Sequence, residues 1–260
     1  MQDRGIVIET LDLAFGYADA PPVLDRLNLS VHAGERVALL GSNGAGKSTL
    51  LLLLTGFLQP SRGQVRLFGE RLSPANAREL RMRCGLLFQD PDDQLFCPSV
   101  ADDVAFGPRN QGCSGPRLDD RVREALDVVG LWNLRAKDPS QLSQGEKKRA
   151  ALATVLAMKP ELLLLDEPTD SLDPASCAAI AKTLAALEKT MIVVTQDLLL
   201  AASLCTRAVA LSGGGSTLDE PMEALLASPE SLERSGLPWA AVGRLCARYG
   251  WAEKIGARHE

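Results

Sequence analysis

Histidine is almost missing from this 260-residue chain, with His32 and His259 as its only two. A histidine-rich metal centre is therefore not expected. The six cysteines, Cys84, Cys97, Cys113, Cys177, Cys205 and Cys246, are scattered and form no Cys-x-x-Cys pair. That spacing argues against a zinc framework or a secreted disulfide scaffold and fits a reducing cytoplasm. No apolar run reaches the roughly 18 to 20 residues needed to span a bilayer, since the longest, around Leu50 to Leu54, stops at Thr55 and Gly56. The opening residues, MQDRGIVIET, carry no secretion signal. Positive charge is not in excess either. With a formal net charge of −5 the chain has no broad positive field for a phosphate backbone, and nucleic acid is not an expected partner. The local run Lys147-Lys148-Arg149 reads as a solvated helix face, and His32 as a turn residue.

What is present is apolar material, 46% hydrophobic against 23% charged, enough for one large core or two small ones without disulfide or metal staples. Short β-rich runs alternate with helical stretches: strands are expected over 6–13, 27–31, 36–40, 162–165 and 191–195, with a helix from Lys47. This is an α/β pattern. The late strands are continuous apolar runs, as required where helices cover both faces of a largely parallel sheet. From about 90 to 141 the pattern changes to helices and loops, with a Gly/Pro-rich break at 107–116, which predicts a helical subdomain. After Leu211 come a glycine run at 213–215, a helix opened by Pro221, and a tail from Ser228 with apolar Leu232, Leu237 and Trp239. The expected organisation is one domain over 1–227, its helical part at about 90–141, and a C-terminal tail over 228–260.

The strand ending at Leu40 runs directly into Gly41, Ser42, Asn43, Gly44, Ala45, Gly46, Lys47, Ser48 and Thr49, and then into a leucine-rich helix. This is the G-x-x-x-x-G-K-[ST] loop in its strand-loop-helix context. Glycines let backbone N–H groups converge on phosphate oxygens and the helix N-terminus adds positive potential. Lys47 is placed to reach β- and γ-phosphates, and Ser48 to ligate Mg2+.

Four leucines, 162–165, lead to Asp166 and Glu167. Two acids closing a buried strand need charge or water to face. Alone they read equally as the start of an acidic loop. With a phosphate loop upstream, Asp166 suits a magnesium shell, and Glu167, pointing elsewhere, suits a general base for the attacking water. A third element, Leu142-Ser143-Gln144-Gly145-Glu146, opens a helix running to Met158. By itself it reads as an ordinary helix cap or as a second anion site built from Ser143 and the N–H groups near Gly145.

Taken in order, the phosphate loop, LSQGE and LLLLDEP resemble the ATPase subunits of ABC transporters, whose signature usually reads LSGGQ. The resemblance covers about residues 5 to 225 and implies a P-loop α/β fold with a mixed sheet, an antiparallel β region and a helical subdomain. It assigns Tyr17 to the adenine ring, Gln89 to magnesium and water, and Asp173 in Ser171-Leu172-Asp173 to the loop that crosses between subunits. It also implies ATP contacts from Ser143, Gly145 and Glu146. The position after Thr195 normally holds a histidine on the γ-phosphate; here it is Gln196, so nucleotide binding is expected and turnover is in question.

The stretch from Gln89 through Asp90-Pro91-Asp92-Asp93-Gln94-Leu95-Phe96 to Ser99-Val100 and on to Phe106-Gly107-Pro108 resembles energy-coupling factor ATPases, particularly those of cobalt and nickel uptake. That resemblance implies ATP and Mg2+ as cofactors and a place on the cytoplasmic face of the cell inner membrane. It implies docking on an integral-membrane coupling protein, with a separate membrane subunit binding the substrate. Phe96, Val100, Val104 and Phe106 read either as anchors for a partner helix or as local core. Because the chain carries both a phosphate loop and a signature, a two-fold homodimer is the economical assembly. Vitamin uptake is the alternative substrate class, and a slowly hydrolysing regulatory subunit is suggested by Gln196 alone.

Overall fold

The computed structural model describes residues 5–18 and 21–235; Leu237 and Trp239 of the expected tail lie outside the described residues. Among the described residues ten strands follow one another: β1 Ile6–Phe15, β2 Leu24–His32, β3 Arg36–Leu40, β4 Arg62–Leu67, β5 Glu70–Arg71, β6 Cys84–Leu87, β7 Leu162–Asp166, β8 Thr190–Val194, β9 Arg207–Ser212 and β10 Gly215–Pro221. Between them run α1 Lys47–Leu54, α2 Ala77–Met82, α3 Val100–Asn110, α4 Pro116–Val128, α5 Gln144–Ala157, α6 Pro174–Ala185, α7 Leu198–Leu204, α8 Met222–Ala227 and α9 Pro229–Arg234. The described residues form two compact units, one from those up to Leu80 together with those from Lys189 onward, and one from Arg81 to Glu188.

In the first unit an antiparallel sheet has the order β2-β1-β4-β5. A second, mixed sheet places β3 between β8 and β9, parallel to both, with β10 antiparallel on β9 across a tight turn at Gly213 and Gly214. Val37, Ala38, Leu39 and Leu40 are wholly buried, as are Ile192, Val193 and Val194 of β8. A strand flanked on both sides and covered on both faces has no solvent face, which is why these segments are unbroken apolar runs. Since β3 and β8 are parallel, with Leu39 opposite Val194, their carboxyl ends open at the same edge.

The second unit pairs β6 and β7 in parallel, Leu87 opposite Leu165, so these two strands also end together. Only helices and single turns occupy 91–141: α3, α4 and turns at Pro91–Asp93, Trp132–Leu134 and Pro139–Gln141. Helix α4 buries Leu118, Val122, Ala125 and Leu126, one stripe at helical spacing. The architecture is α/β with a mixed sheet, an antiparallel sheet and a helical region, as the sequence predicts.

Two expectations are corrected. The Gly/Pro-rich break at 107–116 is shorter than expected, because α3 continues through Gly107 and Pro108 to Asn110. A Cβ on Gly107 would lie 2.6 Å from Cγ of Met158, so the bare glycine is a packing surface here, not a breaker. The charge run 147–149 is not a solvated face: Lys148 is 2% exposed.

Candidate active site

Buried β3 delivers the chain to Gly41, and the loop closes at Gly46, the residue before α1. Gly46 has φ +92, and a Cβ there would come within 2.9 Å of both Leu24 Cδ2 and Val23 Cγ1, so side chains are excluded twice, by backbone and by space. Lys47, 7% exposed, donates from Nζ to the carbonyls of Gly41 at 2.8 Å and Ser42 at 2.9 Å. Its ammonium is thereby fixed over the loop between Gly41 and Lys47. Ser42, Asn43, Gly44 and Ser48 are exposed, while Ala45 and Thr49 are buried. Tyr17 sits beside the first turn of α1, its hydroxyl 3.3 Å from Thr49 Oγ1 and its ring edge-on to Phe15 at 5.0 Å.

At the end of β8, Thr195 is fully buried and Asp197 caps α7, accepting from Leu199 N at 2.9 Å and Leu200 N at 3.1 Å. Between these fixed neighbours Gln196 donates from Nε2 to Asn43 Oδ1 at 2.6 Å. The resemblance assigned Gln196 to the γ-phosphate. Its contact with the loop was not foreseen, because 153 positions separate it from Asn43 in the sequence.

In the second unit Leu162 to Leu165 are wholly buried and Asp166 is 8% exposed. Glu167 has φ +44, the left-handed region. Strand β7 ends at Asp166, and the left-handed backbone at Glu167 turns the chain out of the strand. Gln89 follows β6 and donates from Nε2 to Asp170 Oδ2 at 3.2 Å. Its neighbourhood is braced by Gln94, whose Oε1 accepts from Phe88 N at 3.2 Å and whose Nε2 donates to Ala151 O at 3.0 Å and Thr154 Oγ1 at 2.7 Å. Sequence reasoning quoted Gln94 only as part of a resemblance; its bracing role depends on a helix more than 50 residues away.

Helix α5 starts with a reciprocal cap. Ser143 Oγ accepts from Glu146 N at 3.3 Å, and Glu146 Oε2 accepts from Ser143 N at 2.8 Å. The Ser143 N–H is the largest of the influences that hold the Glu146 carboxyl below its usual range. Gly145 is buried, and a Cβ there would lie 2.2 Å from Ser176 Oγ. Ser176 in turn donates to Asp173 Oδ2 at 2.6 Å, while Asp173 Oδ1 caps α6 through Ala175 N and Ser176 N. These bonds, the Ser176 hydroxyl first, keep the Asp173 carboxyl below its usual range. The structure thus joins Tyr17 to Thr49, Gln196 to Asn43, Gln89 to Asp170, and Gly145 to Asp173 through Ser176.

The sequence pattern of the family described as ABC transporter matches residues 24–170, more than half of the chain. The chain belongs to the ABC transporter ATP-binding proteins. This ABC cassette is 43% identical over 235 residues to the energy-coupling factor transporter ATP-binding protein EcfA of Carboxydothermus hydrogenoformans, which spans 89% of this chain and 87% of that one. Among solved structures, cbiO1 of Clostridium perfringens, part of the ABC transporter complex cbiONQ, superposes with a TM-score of 0.79 at 34% identity, covering 93% of this chain and 99% of that one. The ATP-binding cassette MJ0796, solved as a dimer in a post-hydrolysis state with ADP and Pi, gives 0.75 at 26% identity over 83% and 98%. The cassette is accordingly an ABC-type ATPase. Among its described residues no helix is long and apolar enough to cross a membrane.

Proposed function

We infer that this chain is the ATP-hydrolysing subunit that energises an energy-coupling factor importer, with cobalt or another transition-metal ion as cargo. The observation that carries the importer reading is the ring pair Phe96 and Phe106, 64% and 47% exposed and edge-on at 5.0 Å, on the segment resembling the cobalt and nickel group. Exposed paired aromatics suit burial against a helix of a membrane coupling protein. Val100 and Val104, for which the sequence left partner anchor and local core both open, are wholly buried and belong to the core.

ATP and Mg2+ fit the residues present. Lys47 offers a fixed ammonium to the β- and γ-phosphates, and Tyr17 a half-exposed ring to adenine. Mg2+ would be held by the Ser48 hydroxyl, the Asp166 carboxylate and the Gln89 amide oxygen, all hard oxygen donors, and supplies charge neutralisation at the phosphates when bound. Glu167 accepts the proton of the attacking water, and Gln196 donates to the γ-phosphate. Ser143 and the Gly145 N–H serve the nucleotide of a second copy, with Asp173 on the crossing loop, which makes the working unit a homodimer at the cytoplasmic face of the membrane.

The test is transport. Cells dependent on this chain should accumulate Co2+ or Ni2+ with the native protein and lose that accumulation with Glu167→Gln. Equal metal content in both strains would overturn the cargo assignment, and failure of any membrane subunit to co-purify with the chain from native membranes at its natural level would overturn the importer reading.

A further inference from the structure

Lys148 lies on α5 one turn beyond Gly145 and is 2% exposed. Among the described residues of the second unit no other lysine or arginine is buried to this degree. A desolvated ammonium is costly unless acids and acceptors repay it. Here the Nζ donates to the backbone carbonyl of Gln89, and the carboxylates within its electrostatic reach are those of Asp170, Asp166, Asp90 and Glu167. These are the residues flanking or forming the hydrolytic set. The side chain of Gln89 meanwhile donates to Asp170, so backbone and side chain of one residue are tied to opposite charges of one cluster.

Resting on the ATPase reading, we propose that Lys148 is a positioning residue for hydrolysis, holding the Gln89 carbonyl from α5 so that the Gln89 side-chain amide keeps one arrangement. Gln94 already braces the segment after Gln89 against α5, from Phe88 N to Ala151 O and Thr154 Oγ1. Lys148 adds a charged contact at Gln89 itself. Because the same helix begins at the signature serine, a shift of α5 would be felt at Gln89 without passing through any other element.

The experiment is a kinetic cycle on the full chain with Lys148→Met, Gln89→Ala and the double variant, beside the native protein. Lys148→Met should lower kcat by about 10- to 100-fold, the cost of a misplaced reacting group, while the KM for ATP and nucleotide affinity stay near native values. In the Gln89→Ala background the same change should cost little further, and Lys148→Arg should recover part of the loss. Native kcat in a folded Lys148→Met protein, or a full additional loss on top of Gln89→Ala, would overturn the proposal. If Lys148→Met fails to fold, Lys148→Gln is read in its place. Absence of turnover in the native protein would instead count against the ATPase reading. The proposal is then judged by amide hydrogen exchange over 88–95, which should accelerate in Lys148→Met and would overturn it if unchanged.

Discussion

The Gln196 side-chain amide hydrogen-bonds Asn43 of the phosphate loop at 2.6 Å, although 153 residues separate the two. An amide held there can donate to a phosphate oxygen but cannot carry a charge or exchange a proton near neutral pH. Gln196→His should therefore raise kcat, by up to about 10²-fold, the scale set by one transition-state donor, with ATP affinity little changed. Steady-state turnover of the two proteins decides it; equal rates would mean that residue 196 does not limit hydrolysis.

Lys47 and Glu167 should separate binding from chemistry. Losing the Lys47 ammonium removes a charge-assisted contact worth about 1.5 to 3 kcal/mol, so Lys47→Ala should weaken ATP affinity about 10- to 150-fold. Glu167→Gln should bind ATP normally and lose about 10² to 10⁴-fold in kcat. Equilibrium nucleotide binding and single-turnover hydrolysis check both halves, and near-native turnover by Glu167→Gln would remove Glu167 from its role.

Dimerisation should depend on nucleotide, since the signature end of α5 offers N–H groups to a phosphate that only a bound ATP on another copy supplies. Sedimentation of Glu167→Gln should show a monomer without nucleotide and a dimer with Mg-ATP. A monomer at saturating ATP contradicts the composite site.

Gly145→Ala should be destabilising by about 1 to 3 kcal/mol, the usual cost of overpacking, because the added methyl would sit 2.2 Å from Ser176 Oγ. Ser176→Gly in the same chain should restore the thermal midpoint. Failure of that suppression would locate the defect elsewhere.

The reciprocal cap of α5 makes a pH prediction. The carboxyl of Glu146 is depressed below its usual value of 4.5, so its contribution to stability is fully present above that value and is lost as pH falls through the folded one. Glu146→Gln keeps an acceptor for Ser143 N but has no charge to titrate. The native protein should melt higher than Glu146→Gln near pH 7, and the gap should close as pH falls from 4.5 through the lowered folded value. A gap independent of pH would show that the charge of Glu146 contributes nothing.

The phosphate loop was legible because its chemistry is written in backbone conformation, and glycine at 41, 44 and 46 cannot be disguised. The acids after β7 were legible because four leucines make any charge conspicuous. Strand β4 was not, since RGQVRL carries two arginines and a glycine and is a strand through its pairing with β1 and β5. Lys148 was misread for a related reason. Nothing near it in sequence reveals that its acceptor is a carbonyl 59 positions earlier, and a lysine within a charge run is not marked as buried by its neighbours.

The left-handed backbone at Glu167 gives the cassette an internal conflict. For a residue with a Cβ this conformation costs about 1 to 2 kcal/mol, a strain that glycine escapes entirely. At this one position the demands of a durable chain and of a working chain therefore point to different amino acids. A laboratory selection that rewards heat resistance or expression alone, without asking for turnover, should drift toward glycine at 167 and return robust proteins that hold ATP indefinitely.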